Sequence, residues 1–257
     1  MTEVVCAVVC AVVCALLGAF APLVIARLPE PEPTPEPTPE PTPEPTAPPQ
    51  EERQLFERSL PPAPPKELYA DIAALPHLAV GLAVASGVVG AAVGLALGWT
   101  GALLYLVPFV AIGVVLVLID WRTTLLPNAI IFPTYGLLAV LIGLAALVDR
   151  DLHSLYRAGW GWLVVGGLFA VLWWFLNAWG YGDVRLAGLL GPALGYLGWS
   201  EMLVGLALMF FLGGIGGAVL AVVRRSVKGR MPFGPAMLLG AAVAAVAGPA
   251  IAQGLGY

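Results

Sequence analysis

Residues Ile72–Ile119 read IAALPHLAVGLAVASGVVGAAVGLALGWTGALLYLVPFVAIGVVLVLI, 48 positions without an Asp, Glu, Lys or Arg. A helix crosses a bilayer with about 20 predominantly apolar residues. The stretch is too long for one crossing and has room for two, with Gly98-Trp99-Thr100-Gly101 as the turn between them. Six more charge-free runs follow: Val4–Ala26 (23 residues), Thr123–Val148 (26), Ala158–Gly182 (25), Leu186–Ser200 (15), Met202–Val223 (22) and Met231–Tyr257 (27). The 257-residue chain is 60% hydrophobic and 11% charged, whereas soluble domains are about 45–50% apolar and about 25% charged. That excludes an ordinary cytosolic domain and a nucleic-acid binder with a basic face. Three cysteines are too few for a disulfide-stapled secreted scaffold. The expected fold class is all-α, a polytopic membrane protein of about eight transmembrane helices.

The run Leu186–Ser200 is short and carries Gly188, Gly191, Pro192, Gly195 and Gly198. It reads either as a short span or as a re-entrant segment. If it spans, one side of the membrane receives ten Lys or Arg residues and the other only Arg150 and Arg157. Basic residues collect on the cytoplasmic side, so the expectation is eight spans with both termini outside. The first charge is Glu3 where a signal peptide would be basic, so Val4–Ala26 reads as a retained span. Cys6, Cys10 and Cys14 share one face of it as small packing residues.

Half of the 28 charges lie between Arg27 and Asp71, and 15 of the 24 prolines between Pro29 and Pro65. The core of that region repeats Glu-Pro-Thr-Pro from Glu32 to Thr46. Proline fixes φ and lacks an amide donor, so the stretch is expected to be extended polyproline II or disordered. The expected organisation is a first transmembrane helix over 1–28, a Pro/Glu/Thr-rich cytoplasmic linker over 29–71, and a membrane-embedded core over 72–257. A short amphipathic helix is expected within Gln50–Leu68.

Ionisable groups at membrane depth are costly and tend to be functional. Two carboxylates stand at the cytoplasmic ends of apolar runs beside patterned segments. One is Asp120, in Asp120-Trp121-Arg122-Thr123-Thr124-Leu125-Leu126-Pro127-Asn128; the other is Asp183, in Gly180-Tyr181-Gly182-Asp183-Val184-Arg185-Leu186. Two carboxylates held together share a proton, because like charges in close contact cannot both ionise easily. One then serves as base toward water and the other as acid toward the scissile bond. Gly180 and Gly182 let the chain turn sharply or admit a substrate backbone. Asp183 opens a helix and Asp120 closes one, so the helix dipole favours the ionised form of Asp183 and the protonated form of Asp120. A rival reading uses the same residues: a small ion- or proton-coupled transporter in which Asp120 and Asp183 carry the cation. Transporter acids sit near mid-membrane on broken helices, whereas these stand at helix ends.

The patterned segments resemble the bacterial prepilin peptidases (type IV leader peptidases), GxGD-type intramembrane aspartic proteases. Residues 180–186 look like the family's GxGDxKL. Asp120, Arg122, Leu126-Pro127-Asn128 and Pro133 look like its first-aspartate motif. Pro232-Phe233-Gly234-Pro235 is similar to the PFGP before the last helix, and Gly18-Ala19-Phe20 through Arg27-Leu28-Pro29 to the end of the first span. The resemblance implies an aspartic endopeptidase that removes the leader of type IV prepilins or pseudopilins. It makes Asp120 and Asp183 catalytic, with Gly180, Gly182, Arg185, Arg122, Pro127 and Asn128 binding substrate or shaping the site. It implies a multi-pass protein of the bacterial inner membrane with the site facing the cytoplasm. The expected partners are that substrate and membrane lipid, with no nucleic acid, no cofactor and no metal. Two departures stand out: Arg185 replaces the family's Lys, and the proline-rich linker replaces a domain with two CxxC pairs associated with metal binding and N-methylation. No cysteine follows Cys14, so the reading is a peptidase with that domain lost or replaced.

Overall fold

The computed structural model describes residues 1–30, 67–176, 180–223 and 232–256. The described residues are helical throughout: α1 (Thr2–Ile25), α2 (Tyr69–Ala73), α3 (Leu78–Leu97), α4 (Leu103–Thr123), α5 (Asn128–Asp149), α6 (His153–Gly161), a π-helical turn (Trp162–Gly166), α7 (Gly167–Leu176), α8 (Tyr181–Leu197), α9 (Trp199–Val223) and α10 (Gly234–Gly254). Among the described residues, seven helices are long and apolar enough to cross a membrane, α6, the π-turn and α7 counting as one (His153–Phe175). The turn expected at Gly98-Trp99-Thr100-Gly101 separates α3 from α4, and Gly98 takes the positive φ of 60° that glycine tolerates.

The chain runs up and down, so helix ends gather at two poles. At one pole Gly101 N–H and Tyr196 Oη both donate to Asp149 (2.6 and 2.8 Å). At the other, the start of α10 meets the end of α4, and the start of α8 meets the loop before α5. The short run lies in a helix with other bounds. The helix is Tyr181–Leu197, not Leu186–Ser200; it begins five residues earlier, and Ser200 belongs to α9. Its 17 residues rise about 26 Å at 1.5 Å each, short of a hydrocarbon core about 30 Å thick. It nevertheless reaches from one pole, at Gly182, to the other, at Tyr196. It is the most enclosed helix among the described residues, with Leu186–Leu190 buried in succession.

Glycines of that run serve close packing. A Cβ on Gly191 would overlap the Gly161 carbonyl, and one on Gly161 would overlap the Gly191 carbonyl. Only hydrogen fits on either side of this crossing of α8 with α6. The cysteines are small packing residues on one face, as expected. Cys6, Cys10 and Cys14 are buried, and α1 lies along α3.

Residues 31–66, which hold most of the proline-rich linker and of the expected amphipathic helix, lie outside the described residues, as do Arg224–Arg230. The flanks of the linker meet: the Glu30 carboxylate accepts Tyr69 N–H and Ala70 N–H (2.9 and 3.0 Å) and so caps α2.

Candidate active site

Asp120 lies one turn before the end of α4, and Asp183 is the third residue of α8. Both are buried, at 4% and 9% exposure, and they lie within electrostatic reach of each other. The chain between α4 and α5 is arranged by local bonds. Thr124 adopts the left-handed conformation (φ 52°) and donates its N–H to Asp120 O (2.8 Å). Pro127 then caps α5, its carbonyl accepting the N–H of Ile130 and of Ile131 (3.1 and 3.2 Å). That fold-back sets Leu126 against Gly182, where a Cβ would come within 3.3 Å of the leucine side chain.

Each aspartate is held by one backbone donor. Gly180 N–H donates to Asp183 Oδ2 (3.1 Å) while Asp183 N–H donates to Gly180 O (3.0 Å), a reciprocal cap at the start of α8. Gly234 N–H donates to Asp120 Oδ2 (2.9 Å). The contact is tight: a Cβ on Gly234 would lie 2.7 Å from that oxygen. Phe233 sets the position of Gly234, its ring lying against Gly213 and 6.2 Å from the Phe169 ring.

Gly234 opens α10, and this overturns the dipole asymmetry expected between the two aspartates. Asp120 closes its own helix, but its carboxylate sits on the first N–H of another. Both carboxylates therefore face a helix start, and the helix ends do not assign their roles.

Pro127 is buried at the start of α5, and Gly180 and Gly182 adjoin Asp183. The other three expected site residues have surroundings of their own. Arg122 is exposed and pairs with Glu67 (2.9 Å). Asn128 is exposed on the first turn of α5. Arg185 lies on the Tyr181 side of α8, its guanidinium 4.4 Å from the centre of that ring. Gly234 was not singled out from the sequence as a site residue, although the Pro232-Phe233-Gly234-Pro235 motif containing it was visible. Among the described residues, no three His, Cys, Asp or Glu side chains gather in a metal-binding group.

Fold and site together define a multi-span helical membrane protein that buries two carboxylates, from separate helices, at one pole of its bundle. Residues 107–222, which contain both aspartates, match the model of the type IV leader peptidase family. The Gly234 motif lies beyond the matched stretch. No curated protein and no solved structure matches the chain.

Proposed function

We propose that the protein is an aspartic endopeptidase that removes the leader peptide of type IV prepilins or pseudopilins, acting at the cytoplasmic face of a bacterial inner membrane. The observation that carries this reading is the convergence of buried Asp120 and Asp183 within the leader-peptidase segment, each anchored through one oxygen by a backbone N–H. The second oxygen of each carboxylate has no hydrogen-bond partner among the described residues, and neither is fully enclosed.

The pair carries one proton. The ionised carboxylate takes a proton from water as the oxygen adds to the scissile carbonyl carbon, and its partner donates its own proton to the carbonyl oxygen. As the resulting gem-diol collapses and the C–N bond breaks, the carboxylate that took the proton of water gives it to the leaving nitrogen and its partner takes a proton from a diol hydroxyl, so the pair again carries one proton. Fixed donors hold the carboxylates in place through the cycle, so little reorganisation is needed at the transition state. Both aspartates stand within a turn of a helix end rather than at mid-helix, which favours a protease over the transporter reading.

The test is co-expression with a candidate prepilin, comparing wild type with Asp120→Ala and Asp183→Ala. Leader removal is expected to fail in both. Normal processing by either variant would refute the pair.

A further inference from the structure

Behind the active-site helix, on the flank of the bundle, lies a cavity of about 420 Å³ between α5, the π-turn with α7, and α8. Pockets that hold small ligands span roughly 300–1,000 Å³. Phe132, Trp162 and Tyr181 line it and are each more than half exposed, while Gly188 beneath them is buried. Two of the contributing segments, Asn128–Asp149 and His153–Phe175, are apolar enough to cross the membrane, so the mouth opens toward lipid rather than into the bundle. The cavity is separate from the aspartate pair. Successive helical residues turn by about 100°, so Arg185, two residues on from Asp183, projects to the opposite side of α8.

Arg185 is the one charged residue in the lining. Its guanidinium stacks on Tyr181 and lies 5.8 Å from the centre of the Phe132 ring. Its Nε is buried without a hydrogen-bond partner, and no carboxylate among the described residues pairs with it. A cation set in an apolar wall with an unused donor is costly unless an anion meets it. The fork of the guanidinium matches a phosphate, which it can bind with two parallel N–H···O bonds. Tyr181, at the start of α8, suits the boundary between headgroup and hydrocarbon.

We propose that this cavity binds one anionic phospholipid from the surrounding bilayer, with its phosphate on Arg185 and an acyl chain against the apolar lining. The bound lipid braces the first two turns of α8, the element that carries Asp183. Tyr135 already ties that region to α5 by donating its hydroxyl to Arg185 O (2.7 Å).

The test is native mass spectrometry of the full chain in detergent, titrated with phosphatidylglycerol or with phosphatidylcholine of the same acyl chains. Inorganic phosphate and a leader-bearing prepilin serve as competitors. Wild type should retain phosphatidylglycerol about tenfold more tightly than phosphatidylcholine. Arg185→Gln should bring the two to the same level. Gly167→Leu should weaken both, because Gly167 lines the cavity and a Cβ there meets nothing within 4 Å, so the side chain fills the space without displacing backbone. Gly159→Leu, equally free of contacts and outside the cavity, is the control and should bind as wild type does. Equal retention of the two lipids by wild type, or wild-type retention by both Arg185→Gln and Gly167→Leu, would overturn the proposal. Displacement by inorganic phosphate at matching concentration would reduce the cavity to a phosphate site. Competitive displacement by the prepilin would reassign it to substrate.

Discussion

The two poles of the bundle use aspartate in opposite ways. At the pole away from the site, the Asp149 carboxylate gives one oxygen to Gly101 N–H and the other to Tyr196 Oη. That residue is exposed, yet both of its oxygens are engaged, and it pins the α3–α4 turn to the end of α8. At the other pole Asp120 and Asp183 are buried, where an unpaired polar atom costs most, yet each accepts one backbone N–H. A structural carboxylate is one whose oxygens the fold consumes. A reacting carboxylate is one whose position the fold fixes through one oxygen while the other stays available. The number of partners separates the two poles more sharply than burial does.

That contrast can be broken from either side. The largest effect is expected at the pair: Asp120→Asn or Asp183→Asn keeps the shape but removes acid–base capacity, and cleavage of a prepilin should fall by about 10²–10⁴-fold. Far-ultraviolet circular dichroism and the unfolding midpoint should stay near wild type. Next comes Gly234→Ala. Its Cβ would lie 2.7 Å from Asp120 Oδ2, so either the carboxylate or the start of α10 must move. A displacement near 1 Å in a catalytic constellation costs on the order of 10²-fold, and kcat should drop with helix content unchanged. A Gly234→Ala variant that cleaves at the wild-type rate would mean that the Gly234 contact does not position Asp120.

Asp149→Ala should behave in the opposite manner. It leaves two donors without partners at a partly exposed site, which costs about 1–3 kcal/mol of stability, read as an earlier unfolding transition. Cleavage per folded molecule should be unchanged. The smallest effect belongs to Glu67→Gln, which removes the partner of Arg122. That pair is about one-third exposed on both sides, so the expected loss is at most about 1 kcal/mol and smaller at high salt.

Much of the fold was legible because a bilayer imposes a simple rule: charge-free runs of sufficient length become crossing helices. The rule misplaced α8 for a physical reason. Asp183 and Arg185 read as a boundary before the run beginning at Leu186, but the helix starts at Tyr181, because the Asp183 side chain caps its own first turn through Gly180. The aspartates were legible as a candidate site because buried carboxylates are rare in so apolar a chain. Gly234 was not, since its part is played by a backbone N–H meeting a side chain 114 positions away in sequence, and no local pattern encodes that contact. The contacts of Arg122 with Glu67 and of Arg185 with Tyr181 were hidden for the same reason: motif spacing places residues along a helix but does not say which neighbour each side faces.

The central claim is that Asp120 and Asp183 act as one unit. It is tested most directly by a double-mutant cycle on prepilin cleavage by the purified full chain in lipid nanodiscs, comparing Asp120→Asn, Asp183→Asn and the double variant. Groups that work together are strongly non-additive, so the double variant should lose no more activity than either single one. A loss equal to the product of two independent effects, or wild-type cleavage by either single variant, would contradict it.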